Sequence, residues 1–434
     1  MERDDRRYQA YIEILKQELI PAMGCTEPIA VAYCSALARE TLQCIPEQTE
    51  VFVSGNIVKN VKSVIVPNTG GMKGIEAATA AGIIAGNPDR KLEVIAEVAQ
   101  EQKKQIQEYL TTHDIIVSNF EGKRTPTGEL LDILVEVQGG GHTAKARLAG
   151  HHTHVVLLQR DEEVLYRADS SGKVKASREQ EEDVRSLLSV KDIYDFAQSV
   201  ALEDVRELIG RQIEYNTAIS QEGLRHDYGA NIGKVLLRSF GDGIKERARA
   251  AAAAGSDARM SGCELPVVVN SGSGNQGLTV SMPLIEYAAE IGASKEKLYR
   301  SLVLSNLIAV HEKQGIGCLS AYCGVVSAGA AAGCGIAYLC GGDLKTVTHT
   351  LVNALAITSG MVCDGAKPSC AAKIAAAVDA GILGYEMYCQ GQQFRDGEGI
   401  VKKGVENTIR NVGRLGAKGM KETDLEIIRM MTEK

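Results

Sequence analysis

The stretch Gly360-Met361-Val362-Cys363-Asp364-Gly365-Ala366-Lys367-Pro368-Ser369-Cys370 decides how the rest of this chain is read. Two cysteines stand seven positions apart across a Gly/Pro break, and a helix-like run from Ala371 to Leu383 follows at once. Forty residues upstream lies Cys323, in Leu319-Ser320-Ala321-Tyr322-Cys323-Gly324. Three thiolates brought together there would hold three corners of an iron–sulfur cube and leave the fourth iron open, which makes a Lewis acid rather than an electron carrier. A zinc site is the competing use of the same thiols. A structural zinc closes its fourth position, and Cys25, Cys318 or a histidine would have to supply it.

The composition bounds the classes around that core. A chain of 434 residues is long for one hydrophobic core and predicts two or three domains. Hydrophobic residues at 44% and charged residues at 24% are ordinary for a globular protein, whereas aromatics at 4% and the lack of Trp predict helices packed closely through small side chains. The net charge of −7 argues against nucleic acid as partner. No apolar run reaches the length of a membrane span, and the charged N-terminus has no apolar segment behind it, so a cytoplasmic chain is expected. Eleven cysteines, an odd number, do not predict a disulfide framework in that compartment. Eight of them fall between Cys263 and Cys389. A homodimer is the expectation from size and Ala-rich faces.

Moving outward along the chain, residues 7–21 have helical spacing, broken at Pro21 and Gly24. Gly24-Cys25-Thr26-Glu27-Pro28 then opens an Ala-rich helix, with Thr26 as the expected cap and Pro28 in the first turn. Cys25 is thereby placed at the positive end of a helix, where a thiolate is favoured. Val51–Ser54 and Val61–Val66 read as strands. Asn68, Thr69, Gly70 and Gly71 form a glycine turn leading into another helix, able to aim backbone N–H groups at an anion. Leu92–Val98, Ile115–Val117, Leu130–Val137, Thr143–Leu148, Val155–Leu158 and Val164–Ala168 read as a β-rich segment interrupted by a helix at Gln100–Thr111. His142 follows a glycine run that allows close approach to a ligand. His151 and His152 are adjacent and would point to opposite faces of a strand, so the histidine group reads as surface or hairpin rather than metal site. Residues 169–187 read as a linker or solvated helix. Further on, Arg259 could grip a carboxylate with both arms of its guanidinium. Asn270-Ser271-Gly272-Ser273-Gly274-Asn275-Gln276-Gly277 reads as a ligand-binding loop ahead of a helix. Beyond it the chain is read as almost all helix.

Taken together, Gly24–Pro28, Gly141-His142-Thr143, Ser220-Gln221-Glu222-Gly223-Leu224, Ser256–Met260, Asn270–Gly277, and Cys363–Ala366 with Ser369-Cys370 resemble the L-cysteine desulfidase family, within the iron–sulfur serine dehydratase superfamily of α-chain type. The resemblance implies a [4Fe–4S] cluster with one open iron, held by Cys323, Cys363 and Cys370. It implies α,β-elimination from L-cysteine as the small-molecule substrate, giving sulfide, pyruvate and ammonia. Cys25 is then the first candidate for the base at the α carbon, with Lys59 and His142 behind it. Asn68–Gly71, Arg259 and the loop residues Ser271, Ser273, Gly274, Asn275 and Gln276 are the candidates for holding the α-carboxylate. Serine dehydratases of the superfamily have Ser/His-rich N-terminal motifs and space the last two cysteines more widely, so cysteine is expected over serine. A pyridoxal mechanism, with Lys73 as Schiff base, is the competitor for the same reaction.

The expected architecture is α+β: an N-terminal α/β domain over 1–188 with an inserted β-rich segment, and an all-helical domain over 189–434 bearing the cluster. The substrate cleft is expected between them.

Overall fold

The structure is a computed structural model that describes residues 1–119, 127, 129–168, 184–317 and 319–433. Residues 169–183 of the stretch read as a linker, and Cys318, lie outside the described residues.

Helix α1 (Arg6–Glu18) starts where the Asp5 side chain accepts a hydrogen bond from the Arg7 N–H. It buries Tyr8, Tyr11, Ile14 and Leu15, and both tyrosine rings meet Phe196 edge-on. Phe196 belongs to the C-terminal half, so the first helix is docked across the chain. Strand β1 (Pro21–Met23) follows, then the long helix α2 (Thr26–Leu42), ended by Gln43 in the left-handed region at φ 68°.

The β-rich part is one six-stranded sheet, built from β2 (Gln48–Val53), β3 (Ile115–Asn119), β4 (Asp132–Gly139), β5 (His142–Ala149), β6 (Val155–Arg160) and β7 (Glu163–Arg167) in the order β3-β2-β4-β5-β6-β7. β2 and β3 run parallel, joined by a crossover of three helices: α3 (Gly55–Val61), α4 (Gly74–Ala85) and α5 (Gln100–Thr112). The other pairs are antiparallel. In β4 and β5 the inward residues Ile133, Val135, Ala146 and Leu148 are fully buried while Gln138 and His142 face out, the period-2 pattern that the sequence displays.

Two expected strands are absent. Val61–Val66 is the end of α3 and a turn, and Leu92–Val98 continues from a short 3-10 helix at Pro88–Glu93. Both are short apolar runs, whose periodicity alone does not separate a strand from a buried turn.

The C-terminal half is helical, as expected: α6 (Val190–Ser199), α7 (Leu202–Arg225), α8 (Ile232–Phe240), α9 (Ile244–Met260), α10 (Gly274–Glu290), α11 (Lys295–Ile316), α12 (Val325–Leu339), α13 (Leu344–Thr358), α14 (Ser369–Cys389), α15 (Val405–Arg414) and α16 (Lys421–Thr432). Ala250–Ala254 of α9 are wholly buried, and small residues let the neighbours approach closely. A Cβ at Gly333 of α12 would lie 2.4 Å from the Gly381 carbonyl of α14. One short strand, β8 (Pro266–Val268), pairs antiparallel with β1, Pro21 opposite Val268. That pairing sets Gly24 and Cys25, just after β1, near the end of α9 that precedes β8.

Candidate active site at the meeting of the two halves

The three expected cluster cysteines come together. Tyr322 and Val362 form an antiparallel bridge. The Cys323 N–H donates to Met361 O at 3.0 Å, and the Cys363 N–H to Ala321 O at 2.6 Å. Cys370 lies in the first turn of α14, its N–H bonded to Lys367 O at 3.0 Å. Burial, then the neighbouring Cys363 and Cys370, push the Cys323 thiol up to about 12, with Lys373 pulling the other way. Burial, with Cys363 adding to it, likewise raises Cys370. The loop between them is tied down by Asp364, which pairs with Lys367 at 2.5 Å and with Lys373. Gly365 stands at φ 93°, and a Cβ there would lie 2.1 Å from the Lys59 carbonyl, so the loop lies directly on α3 and only glycine fits.

This donor set suits an iron–sulfur cube. Three free thiols share one place, and basic rather than acidic side chains face them. Among the described residues no three His, Cys, Asp or Glu side chains stand close enough to hold one metal ion.

Cys25 forms part of the facing wall. It is the N-cap of α2, in place of the expected Thr26, and packs with Val64 and Met260 in a small cluster that Ala366 and Cys370 also join. Its thiol donates to Glu27 Oε2 at 3.1 Å, and the Thr26 hydroxyl donates to the same oxygen at 3.1 Å. Burial first, and then Glu27, hold this thiol well above its ordinary value, while Arg259 opposes them. The expectation of a helix end favouring the thiolate is therefore corrected: desolvation outweighs the dipole here. Burial would raise the Glu27 carboxyl too, but His152 and the Cys25 thiol more than offset it and hold it at about 2. His152 Nε2 stands 3.8 Å from Glu27 Oε1.

Arg259 is 2% exposed and donates from Nη1 to Asn275 Oδ1 at 3.0 Å, leaving Nε without a hydrogen-bond partner. Gln276 lies against Gly324, beside Cys323, and its Oε1 is buried and unpartnered. Gly274 is backed by Arg259, since a Cβ there would be 2.3 Å from Nε. Ser273 caps α10, and Ser271, at φ 50°, donates to Asn270 Oδ1 at 2.9 Å. Buried polar atoms without partners cost free energy unless something else satisfies them. Here the Gln276 oxygen lies beside Cys323, and the Arg259 Nε lies against Gly274.

The remaining expected residues are placed differently. Pro67 packs on Gly24, so the turn after it is close to Cys25. Yet the Asn68 side chain donates inward to Ile95 O at 2.8 Å, and Thr69 to Val66 O at 2.7 Å. Their side chains shape the turn, and Gly70 and Gly71 at its tip have open space beside them. Lys59 abuts Gly365, but its ammonium is paired with Asp424 Oδ1 at 2.5 Å. His142 is not brought to the others. It starts β5, half exposed and paired with Asp161 at 2.8 Å, and the eight-residue strand carries it roughly 24 Å from the end where His152 follows.

Three side chains of this region were not expected from the sequence. Glu27 stands inside the Gly24–Pro28 motif, where its carboxylate was the available signal. His152 was set aside because His151 adjoins it, but both lie in the turn between β5 and β6 and not on a strand. Asp424 is 365 positions from Lys59 and carries no local signal.

A family model described as serine dehydratase alpha chain matches residues 89–429. Its span includes Cys323, Cys363, Cys370 and Arg259, while Cys25 and Glu27 precede it. Over 431 residues, 99% of this chain and 98% of the relative, the sequence is 59% identical to a UPF0597 protein of Desulfitobacterium hafniense. A UPF0597 protein of Lachnoclostridium phytofermentans is 48% identical over 424 residues, covering 98% of this chain and 99% of its own. One from Bacteroides fragilis is 38% identical over 428 residues, covering 98% and 97%.

Proposed function

Because the chain belongs to the serine dehydratase alpha-chain family, a family of lyase type, we propose that it is an iron–sulfur lyase releasing sulfide from L-cysteine by α,β-elimination. The aminoacrylate set free would hydrolyse to pyruvate and ammonia. The observation that carries this reading is shared packing: the Cys25 thiol packs in the cluster that Cys370 joins, and Cys370, Cys323 and Cys363 lie together. Cys323, Cys363 and Cys370 would hold the [4Fe–4S] cluster, whose open iron, when bound, supplies a Lewis acid for the substrate's sulfur.

The chain's own residues do the rest. The Arg259 guanidinium, nearly dry and with Nε free, holds the α-carboxylate, helped by the Ser271–Gln276 turn. Cys25 bonds Glu27 and packs on Met260 next to Arg259, so the α carbon of an amino acid held by Arg259 would sit near its sulfur. Its sulfur takes the α proton as the thiolate, once the proton it donates to Glu27 in the free protein has left to solvent, with the Arg259 charge favouring the anion. Burial of Cys25, Cys323 and Arg259 keeps water from the reacting atoms. The preference for cysteine over serine is part of the proposal and has a direct test: sulfide release from L-cysteine against pyruvate formation from L-serine in anaerobically purified protein. Equal or faster turnover of serine overturns it. In Cys25→Ala, iron should stay and turnover should fall by a factor on the order of 10² or more; a fully active variant removes Cys25 from the mechanism.

A further inference from the structure

Cys25 bonds the Glu27 carboxylate of its own helix and packs on Met260, the chain neighbour of Arg259 on a second wall. On one side is the Glu27 carboxylate. Its Oε2 accepts from Cys25 and Thr26, and its Oε1 faces His152 Nε2 at 3.8 Å, which is an ion-pair distance and too long for a hydrogen bond. His152 Nε2 is itself buried and has no hydrogen-bond partner. On the other side is Arg259, with its unpartnered Nε.

The two walls are held at a short fixed separation by a single turn. A Cβ at Gly272 would lie 3.4 Å from the His152 ring, and a Cβ at Gly274 would lie 2.3 Å from Arg259 Nε. Two residues of backbone span at most about 7 Å. The Glu27 carboxylate and the Arg259 guanidinium are thus carried on walls joined through one short turn, with the Cys25 thiol bonded to the first and packed on Met260 beside the second.

We propose that Glu27 Oε1 binds the α-ammonium group of the substrate, with His152 holding the carboxylate in place, while Arg259 takes the α-carboxylate. The site then selects free α-amino acids in zwitterionic form and discriminates against acids that lack the amine. This rests on the reading of Arg259 given above and adds Glu27 as the specificity-determining residue. His152 is a positioning residue.

The test compares two ligands that cannot undergo elimination, L-alanine and L-lactate, which differ in an ammonium against a hydroxyl. Binding is measured by calorimetry on the anaerobically purified full chain, without turnover. Wild type should prefer L-alanine by about tenfold or more, the scale of one buried charge contact. Glu27→Gln should lose that preference and keep its L-lactate affinity, which also shows that the variant is folded. Glu27→Asp should retain part of the preference, and His152→Asn should weaken L-alanine while leaving L-lactate alone. A Glu27→Gln protein that still prefers L-alanine, or a wild type with no preference, overturns the assignment. Absence of sulfide release from a protein that does show the Glu27-dependent preference would instead overturn the lyase reading.

Discussion

Replacing Asp424 by leucine removes the carboxylate that faces Lys59. The Lys59 side chain is 1% exposed and that of Asp424 11%, so water cannot take over from the lost partner. Breaking a buried pair by removing one member typically costs about 3–5 kcal/mol, because the other charge is left stranded. Asn56, which donates to Asp424 Oδ2 at 3.1 Å, loses its acceptor as well and adds about 1 kcal/mol. The pair also ties α16 to α3, and α3 carries the Lys59 carbonyl on which Gly365 rests. Asp424→Leu should therefore lower the urea midpoint and loosen the loop between Cys363 and Cys370, with faster loss of iron in air. Lys59→Met with Asp424→Leu removes both charges and should recover most of the stability. It should also turn over L-cysteine, since Lys59 is committed to Asp424 rather than to the substrate. The assay is urea denaturation followed by circular dichroism, with sulfide release measured on the same samples. A loss under about 1 kcal/mol in Asp424→Leu would refute the buried-pair reasoning, and a folded but inactive double variant would restore Lys59 as a candidate base.

Other outcomes follow from single contacts. Gly365→Ala places a methyl group 2.1 Å from the Lys59 carbonyl and should give a protein that no longer retains iron; normal iron content would contradict the close packing of that loop. Cys363→Ala should lose iron altogether, whereas Cys340→Ala, an exposed cysteine far along α12's end, should keep it. Glu312 is fully buried without a hydrogen-bond partner for either oxygen, and burial holds its carboxyl well above the usual 4.5. The folded protein therefore keeps a proton that the unfolded chain releases above about pH 4.5, so this group's contribution to stability declines as pH rises. Glu312→Gln should gain on wild type between pH 5 and pH 8 in thermal melts, and parallel melting curves across that range would contradict a neutral buried acid.

How much of this was readable in advance depends on whether the signal is local. The spacing of Cys363 and Cys370 across Gly365 and Pro368 marks a turn into a helix, and the alternation in Leu130–Val137 and Thr143–Leu148 marks half-buried strands. Both are decided within a few residues, and both recur in the structure. The apolar runs Val61–Val66 and Leu92–Val98 are buried for tertiary reasons, under neighbouring elements, and no local pattern distinguishes that from a strand. The site shows the same division. Arg259 and Asn275 were legible because a charged or amide side chain in a small-residue context needs a reason. The protonation of Cys25 was not, because it depends on burial by Val64 and Met260 and on Glu27, none of which a helix-start pattern reveals. His152 reaches Glu27 only because the sheet packs on α2, a contact set by the whole N-terminal half.

The most direct test is iron and acid-labile sulfide content of anaerobically purified protein, measured together with sulfide release from L-cysteine, in wild type and in Cys323→Ala, Cys363→Ala and Cys370→Ala. Iron and inorganic sulfide in equal amounts in wild type, lost along with activity in each variant, is the predicted result. Zinc in place of iron, or iron retained in any of the three variants, would contradict it.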